Sequence, residues 1–365
     1  MLEIDFTPLF DRLGEPQTIA LAGLLVGLIF GVAAQRSRFC LRAAVAEFAG
    51  GEIGPKVALW LLAFSTAVFW VQALLAADML DLTEARWRTA TASISGAILG
   101  GLIFGAGMIL ARGCPGRLLV LAASGNLRSL LAGLVFAVVG QASLYGVLAP
   151  IRETLATAWT TGADNPDLIA AAGFGPGLGL ALAILAAAAA LVAARRARVS
   201  ARTLWFGSGV GFAVALGWWL TGQFYAQAFD PVAIESVTFS GPSANLLMAV
   251  LSPDWSFEFD LGLVPGVIIG SALAAAAFGE WRWEGFRDVA NMQRSIIGAA
   301  MMGFGAMLAG GCAIGAGVTG GSIFAMTAWT ALTAFWIGGM AAHRLIDYEA
   351  PAPKADLARP APQQV

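Results

Sequence analysis

From Ser295 to Ala342 the chain carries no charged side chain. Such a run is too long for one membrane crossing, because a hydrocarbon core about 30 Å thick is spanned by roughly 20 helical residues. Glycines between Gly310 and Gly321 break it, so it reads as two spans with an irregular segment between them. Similar uncharged stretches recur upstream. Nine candidate spans emerge, at roughly 17–35, 57–77, 89–111, 129–150, 168–194, 203–225, 261–279, 295–311 and 323–342. Only 12% of the residues are charged, whereas a soluble chain carries about 25%. The expected fold is an all-α polytopic membrane protein with about nine transmembrane helices.

Several function classes fall away. A net charge of −2 leaves no footprint for a polyanion, so no nucleic-acid partner is expected. The single histidine, His343, sits beside Arg344 at the end of the last span and reads as a membrane-interface residue. The three cysteines are too widely spaced for a zinc pattern or a disulfide framework. No metal, cofactor or catalytic residue is expected. The acidic start "MLEIDFTPLFDR" does not resemble a cleavable signal peptide. No P-loop is present, so no built-in ATPase is expected.

Charge distribution orients the chain. With the N-terminus outside, 17 of the 21 basic residues fall on inward segments; only Arg12, Arg86, Arg88 and Arg152 lie outside. The positive-inside rule then predicts a multi-pass protein of the bacterial inner membrane, N-terminus periplasmic and C-terminus cytoplasmic. The proline-rich tail after Tyr348 is expected to be disordered.

An internal repeat gives the spans an organisation. "GLIFG" occurs at 27–31 and 101–105, and each copy ends nine residues before a cysteine: Gly31 to Cys40, and Gly105 to Cys114. A third copy keeps the offset, Gly303 to Cys312. A fourth beginning near Gly207 or Gly209 places Leu216 or Trp218 where the thiol belongs. Spans 3 and 8 run in opposite directions, so the repeat is inverted. The expected divisions are an N-terminal periplasmic segment (1–16), a first membrane repeat (17–150), a connector with span 5 (151–202), a second, inverted repeat (203–348) and the tail (349–365).

Each cysteine is followed by a piece too short to span: 41–51, 115–126 and 313–322, with 240–253 as a fourth. These read as re-entrant half-helices. Irregular backbone at membrane depth is tolerated only against protein or a water-filled cavity, and inverted repeats place binding sites at broken helices near the midplane. The result is an hourglass with a central constriction, its half-helix N-termini offering N–H groups and positive dipole ends to an anion.

A lone membrane cysteine is usually a small hydrophobe. Three related ones, each in a glycine-containing break, read as a site. Gly113 and Gly311 precede Cys114 and Cys312 and let backbone and ligand come close; Arg112 stands next to Gly113. A thiol is a weak donor with a soft sulfur, suited to a ligand that carries sulfur itself. Weak, repeated contacts meet the condition for conduction. Arg36, Arg38, Arg42, Arg112 and Arg117 satisfy the positive-inside rule; they also suit an inner vestibule that attracts an emerging anion. Trp218, Trp219, Trp281 and Trp283 read as interfacial or packing residues.

"RSRFCLRAA" at 36–44, "ARGCPGR" at 111–117 and "AGGCAIGAGVTGG" at 309–321 resemble the YeeE/YedE family of bacterial membrane proteins. The resemblance covers roughly 17–345. It implies an hourglass of helices, import of thiosulfate or another sulfur-containing ion, and a relay through Cys40, Cys114 and Cys312. It also implies a small cytosolic sulfur-carrier protein as partner, alongside thiosulfate and the lipid bilayer. By topology the ion meets Cys312 first, then Cys114 and Cys40, and facilitated diffusion pulled by cytosolic consumption is the simplest energetics. Two alternatives stay open: a membrane thiol sulfurtransferase that forms a cysteine persulfide, and a non-specific small-anion channel.

Overall fold

The structure, a computed structural model, describes residues 5–89, 91–162, 166–252, 257–285 and 289–346. The expected tail at 349–365 lies outside them. The described residues are helical, with three single-residue bridges and no strand. In chain order the helices are α1 (Thr7–Leu13), α2 (Glu15–Ser37), α3 (Leu41–Ala49), α4 (Pro55–Ala76), α5 (Arg86–Thr89), α6 (Ile94–Leu110), α7 (Pro115–Ala123), α8 (Leu127–Leu144), α9 (Ala149–Thr157), α10 (Leu168–Ala171), α11 (Pro176–Arg196), α12 (Ala201–Gln227), α13 (Gly241–Leu251), α14 (Phe259–Ala277) and α15 (Val289–Leu308). A π-helical turn (Gly315–Gly320) and α16 (Met326–Ile346) complete the chain.

Seven helices are long and apolar enough to cross a membrane, which makes this a multi-pass membrane protein. The last two expected spans correspond to α15 and α16, of 20 and 21 residues. These stand outside the seven, because Asn291, Gln293 and Arg294 open α15 and several Thr and Trp residues punctuate α16. Exposed Leu130, Leu134, Leu185, Ile269, Leu273 and Ile337 give the outer face the apolar character lipid requires.

Local chemistry sets the helix ends. The Ser93 hydroxyl accepts from Gly96 N–H at 2.7 Å to start α6. Asn126 Oδ1 accepts from Ser129 N–H at 2.8 Å to start α8. Pro55, Pro115 and Pro242 occupy the first turns of α4, α7 and α13, where no intrahelical N–H bond is lost.

The helices come together on small residues, as membrane helices do when lipid offers no contrast in apolarity. Gly23, Gly27 and Gly31 of α2 lie against the carbonyls of Phe259, Leu263 and Val267 of α14. Gly262, Gly266 and Gly270 of α14 lie reciprocally against Ala20, Leu24 and Leu28. A β-carbon at any of these six would collide with backbone.

The repeat is visible in this packing. Four units each run long helix, short helical piece, long helix: α2–α3–α4, α6–α7–α8, α12–α13–α14, and α15–π-turn–α16. Exchanging the first two units for the last two maps contact onto contact: α2 on α14 becomes α12 on α4, α6 on α16 becomes α15 on α8, and α3 on α16 becomes α13 on α8. The repeat glycines mark those contacts. Gly31 meets α14, Gly105 meets Phe335 and Gly339 of α16, and Gly303 meets Phe136 and Gly140 of α8.

The unit without a cysteine, α12–α13–α14, departs from the expected placement. Helix α12 runs unbroken through Leu216 and Trp218, and the break comes only after Gln227. An extended stretch then leads to Ser240, the N-cap of α13. Gly211, not Gly207 or Gly209, meets the backbone of α4 at Ala63 and Ala67. The nine-residue offset fails because α12 is longer than its counterparts.

Candidate functional site

The three cysteines stand at the same structural position. In each case the helix before it ends and the residue two places upstream of the cysteine takes a left-handed turn: Arg38 (φ 56°), Arg112 (φ 59°) and Gly310 (φ 78°). Glycine suits that conformation at a helix C-terminus. Arginine adopts it at a cost, which the surrounding packing must impose at Arg38 and Arg112. The chain then reverses into a short helical piece headed by the cysteine.

Cys40 is the N-cap of α3 and Cys114 the N-cap of α7, both in extended backbone conformation. Neither side chain caps its own helix, so the thiols are free to turn elsewhere. The two thiols lie within interacting range of one another. Cys312 lies within electrostatic range of Cys114. Its Sγ accepts from Gly315 N–H at 3.5 Å, and its carbonyl accepts from Ala316 N–H at 2.8 Å as the π-helical turn begins. Cys114 and Cys312 are 1% and 0% exposed, while Cys40 is partly exposed. All three thiols are free.

The stretch before α13 completes the cluster. Phe239 and Ile314 stand over Gly116 in the first turn of α7, where a β-carbon would strike the Phe239 ring at 2.9 Å. Phe239 also packs on Phe30 of α2, ring centroids 5.1 Å apart. Thr238 lies against Gly315, and Thr319 Oγ1 donates to Val237 O at 2.6 Å. The starts of α7 and the π-turn therefore meet at the segment that leads into α13. Each short helix presents first-turn N–H groups without intrahelical partners.

The other expected site residues divide. Gly113 and Gly311 are buried in the turns that deliver their cysteines. Arg112 sits in the same turn with its side chain exposed. Arg117, three residues past Cys114, is instead the guanidinium beside the thiols, within electrostatic range of both Cys40 and Cys114. Its spacing was the available signal: three residues past an N-cap returns to the same side of the helix.

Arg36 and Arg128 have structural partners. Arg36 pairs with Glu280 at 2.8 Å and lies over the Phe278 ring at 3.7 Å. Arg128 Nη1 donates to Ala111 O at 3.0 Å and Ser295 Oγ at 3.1 Å, bracing the turn after α6. Among the described residues no group of His, Cys, Asp and Glu is arranged to hold a metal ion.

A protein-family model described as sulphur transport matches residues 36–341, from before Cys40 to beyond Cys312. The chain is 26% identical over 367 residues to the thiosulfate transporter TsuA of Escherichia coli (strain K12), covering 93% of this chain and 98% of that protein. It is also 26% identical over 342 residues to the thiosulfate transporter TsuA of Spirochaeta thermophila, covering 87% of this chain and 96% of that protein. With most of its length matched, and with the three cysteine turns inside the match, the chain belongs to the sulphur transport family, the YeeE/YedE family its motifs resemble.

Proposed function

We propose that this protein imports thiosulfate across the bacterial inner membrane, N-terminus outside and C-terminus inside. One observation carries the reading: three repeat-related, free thiols are gathered at the starts of short helices, in a setting built mainly from Gly, Ala, Ile and Phe. Thiosulfate has a soft terminal sulfur and a hard sulfonate end. Protonated thiols suit the first through weak S–H···S contacts, and half-helix N–H groups suit the second. The two curated relatives bear the name of thiosulfate transporters.

In this reading the four short pieces enter the bilayer from opposite faces, the halves form an inverted repeat, and the passage narrows where they meet. Burial of Cys114 and Cys312 makes the present conformation a closed one. Thiosulfate reaches Cys312 from outside, passes to Cys114, and leaves past Cys40. Its consumption inside, with a small sulfur-carrier protein as acceptor, keeps the flow inward.

The test is growth on thiosulfate as sole sulfur source in cells lacking other thiosulfate uptake, with uptake of thiosulfate labelled at each sulfur. Growth with both labels entering together is expected. No growth despite confirmed membrane expression overturns the reading.

A further inference from the structure

One basic residue at the cysteine turns, Arg117, carries a terminal guanidinium nitrogen that is buried and left unpaired. Its Nη1 is buried and finds no acceptor, and no carboxylate lies within ion-pair distance of it among the described residues. A buried donor nitrogen without an acceptor is costly to maintain. Arg36 and Arg128 show the usual solution, with Nη1 of each held by fixed acceptors.

Arg117 also lines a cavity of about 320 Å³, together with Arg38, Gln35, Asn126, Glu280 and Glu284. The two carboxylates there are already committed. Glu280 is held by Arg36 at 2.8 Å and by Gln35 Nε2 at 3.0 Å, and Glu284 accepts from Asn126 Nδ2 at 2.7 Å. Arg38 reaches Glu280 only at 3.9 Å and is largely exposed. The cavity therefore presents cationic surface while Arg117 lies within electrostatic range of the Cys40–Cys114 pair.

We infer that Arg117 and Arg38 form an oxyanion subsite at the cavity end of the thiol pair, which holds the sulfonate of thiosulfate while its terminal sulfur is on Cys40 and Cys114. The inference rests on the proposed thiosulfate transport. A guanidinium fork matches two oxygens of a tetrahedral oxyanion at once, and the short S–S bond lets one ion touch thiol and guanidinium together. Specificity then divides between the two ends. Sulfate satisfies the arginines but not the thiols, so it occupies this subsite as a weak competitor and is not carried.

The experiment uses purified full-length protein in liposomes, with labelled thiosulfate as substrate and sulfate as competitor on the arginine-cavity side. Arg117→Gln is expected to raise the half-saturation concentration by about tenfold or more, the loss of one charge-assisted pair, and to abolish sulfate inhibition. Arg117→Lys is expected to restore much of both, which a purely structural role does not predict. Wild-type half-saturation and unchanged sulfate inhibition in Arg117→Gln overturn the subsite. If that variant does not fold, Arg38→Gln, at an exposed position, carries the same two readouts, and unchanged values there overturn it. Wild-type protein that carries no thiosulfate overturns the transport reading itself, whereas wild-type transport with unaltered variants overturns only the subsite.

Discussion

Cys40 and Cys114 head two different short helices, and their thiols lie within interacting range of one another. Neither thiol is used to cap its own helix. The contact joins the first two repeat units, and Cys114 links it onward to Cys312 of the fourth.

Thiols this close are within reach of a disulfide. Mild oxidation is expected to join Cys40 to Cys114 and stop transport, and a reductant to restore it. Peptide mapping identifies the bond. Transport by Cys40→Ala should resist the oxidant; equal sensitivity in that variant would place the oxidised pair elsewhere.

Cys114 lies between the other two thiols, so its loss interrupts the series at the centre. Cys114→Ala and Cys312→Ala are each expected to abolish uptake, with Cys40→Ala milder because its partly exposed thiol is at one end. Cys→Ser at either buried position should retain little, since a hydroxyl keeps a donor and loses the soft sulfur. Initial uptake rates, normalised to protein in the membrane, decide it.

The α2–α14 contact tolerates no side chain. Gly27→Val would drive its β-carbon into the backbone around Leu263 and Gly266, with an expected loss of about 1–3 kcal/mol. Gly133 of α8 has open space around its β-carbon position, so Gly133→Ala is expected to be neutral or stabilising by up to about 1 kcal/mol. Thermal melting in detergent compares the two; an equal loss in both would refute the close-packing argument.

Arg36 is largely buried in its pair with Glu280, the two side chains being 11% and 26% exposed. Glu280→Gln leaves that guanidinium without its countercharge and should cost about 1–3 kcal/mol. The double change Arg36→Met with Glu280→Met removes both charges and should be milder than Glu280→Gln alone. Melting temperatures of the three proteins give the ordering.

Uncharged stretches and glycine breaks were enough to place most of the helices, because membrane insertion is decided by length and apolarity along the chain. The nine-residue spacing to each cysteine was equally legible, since it records a turn that each unit makes locally: Arg38, Arg112 and Gly310 occupy the same left-handed position. The cysteine-free unit was misplaced because nothing local announces that α12 continues to Gln227. Tertiary structure alone decided which thiols meet. It also separated Arg112, exposed on its turn, from Arg117, half-buried near the cysteines. The two arginines stand in one short motif and differ little as residues. Their surroundings come from α14, α3 and the loops flanking them, distant in sequence and brought near only when the helices pack.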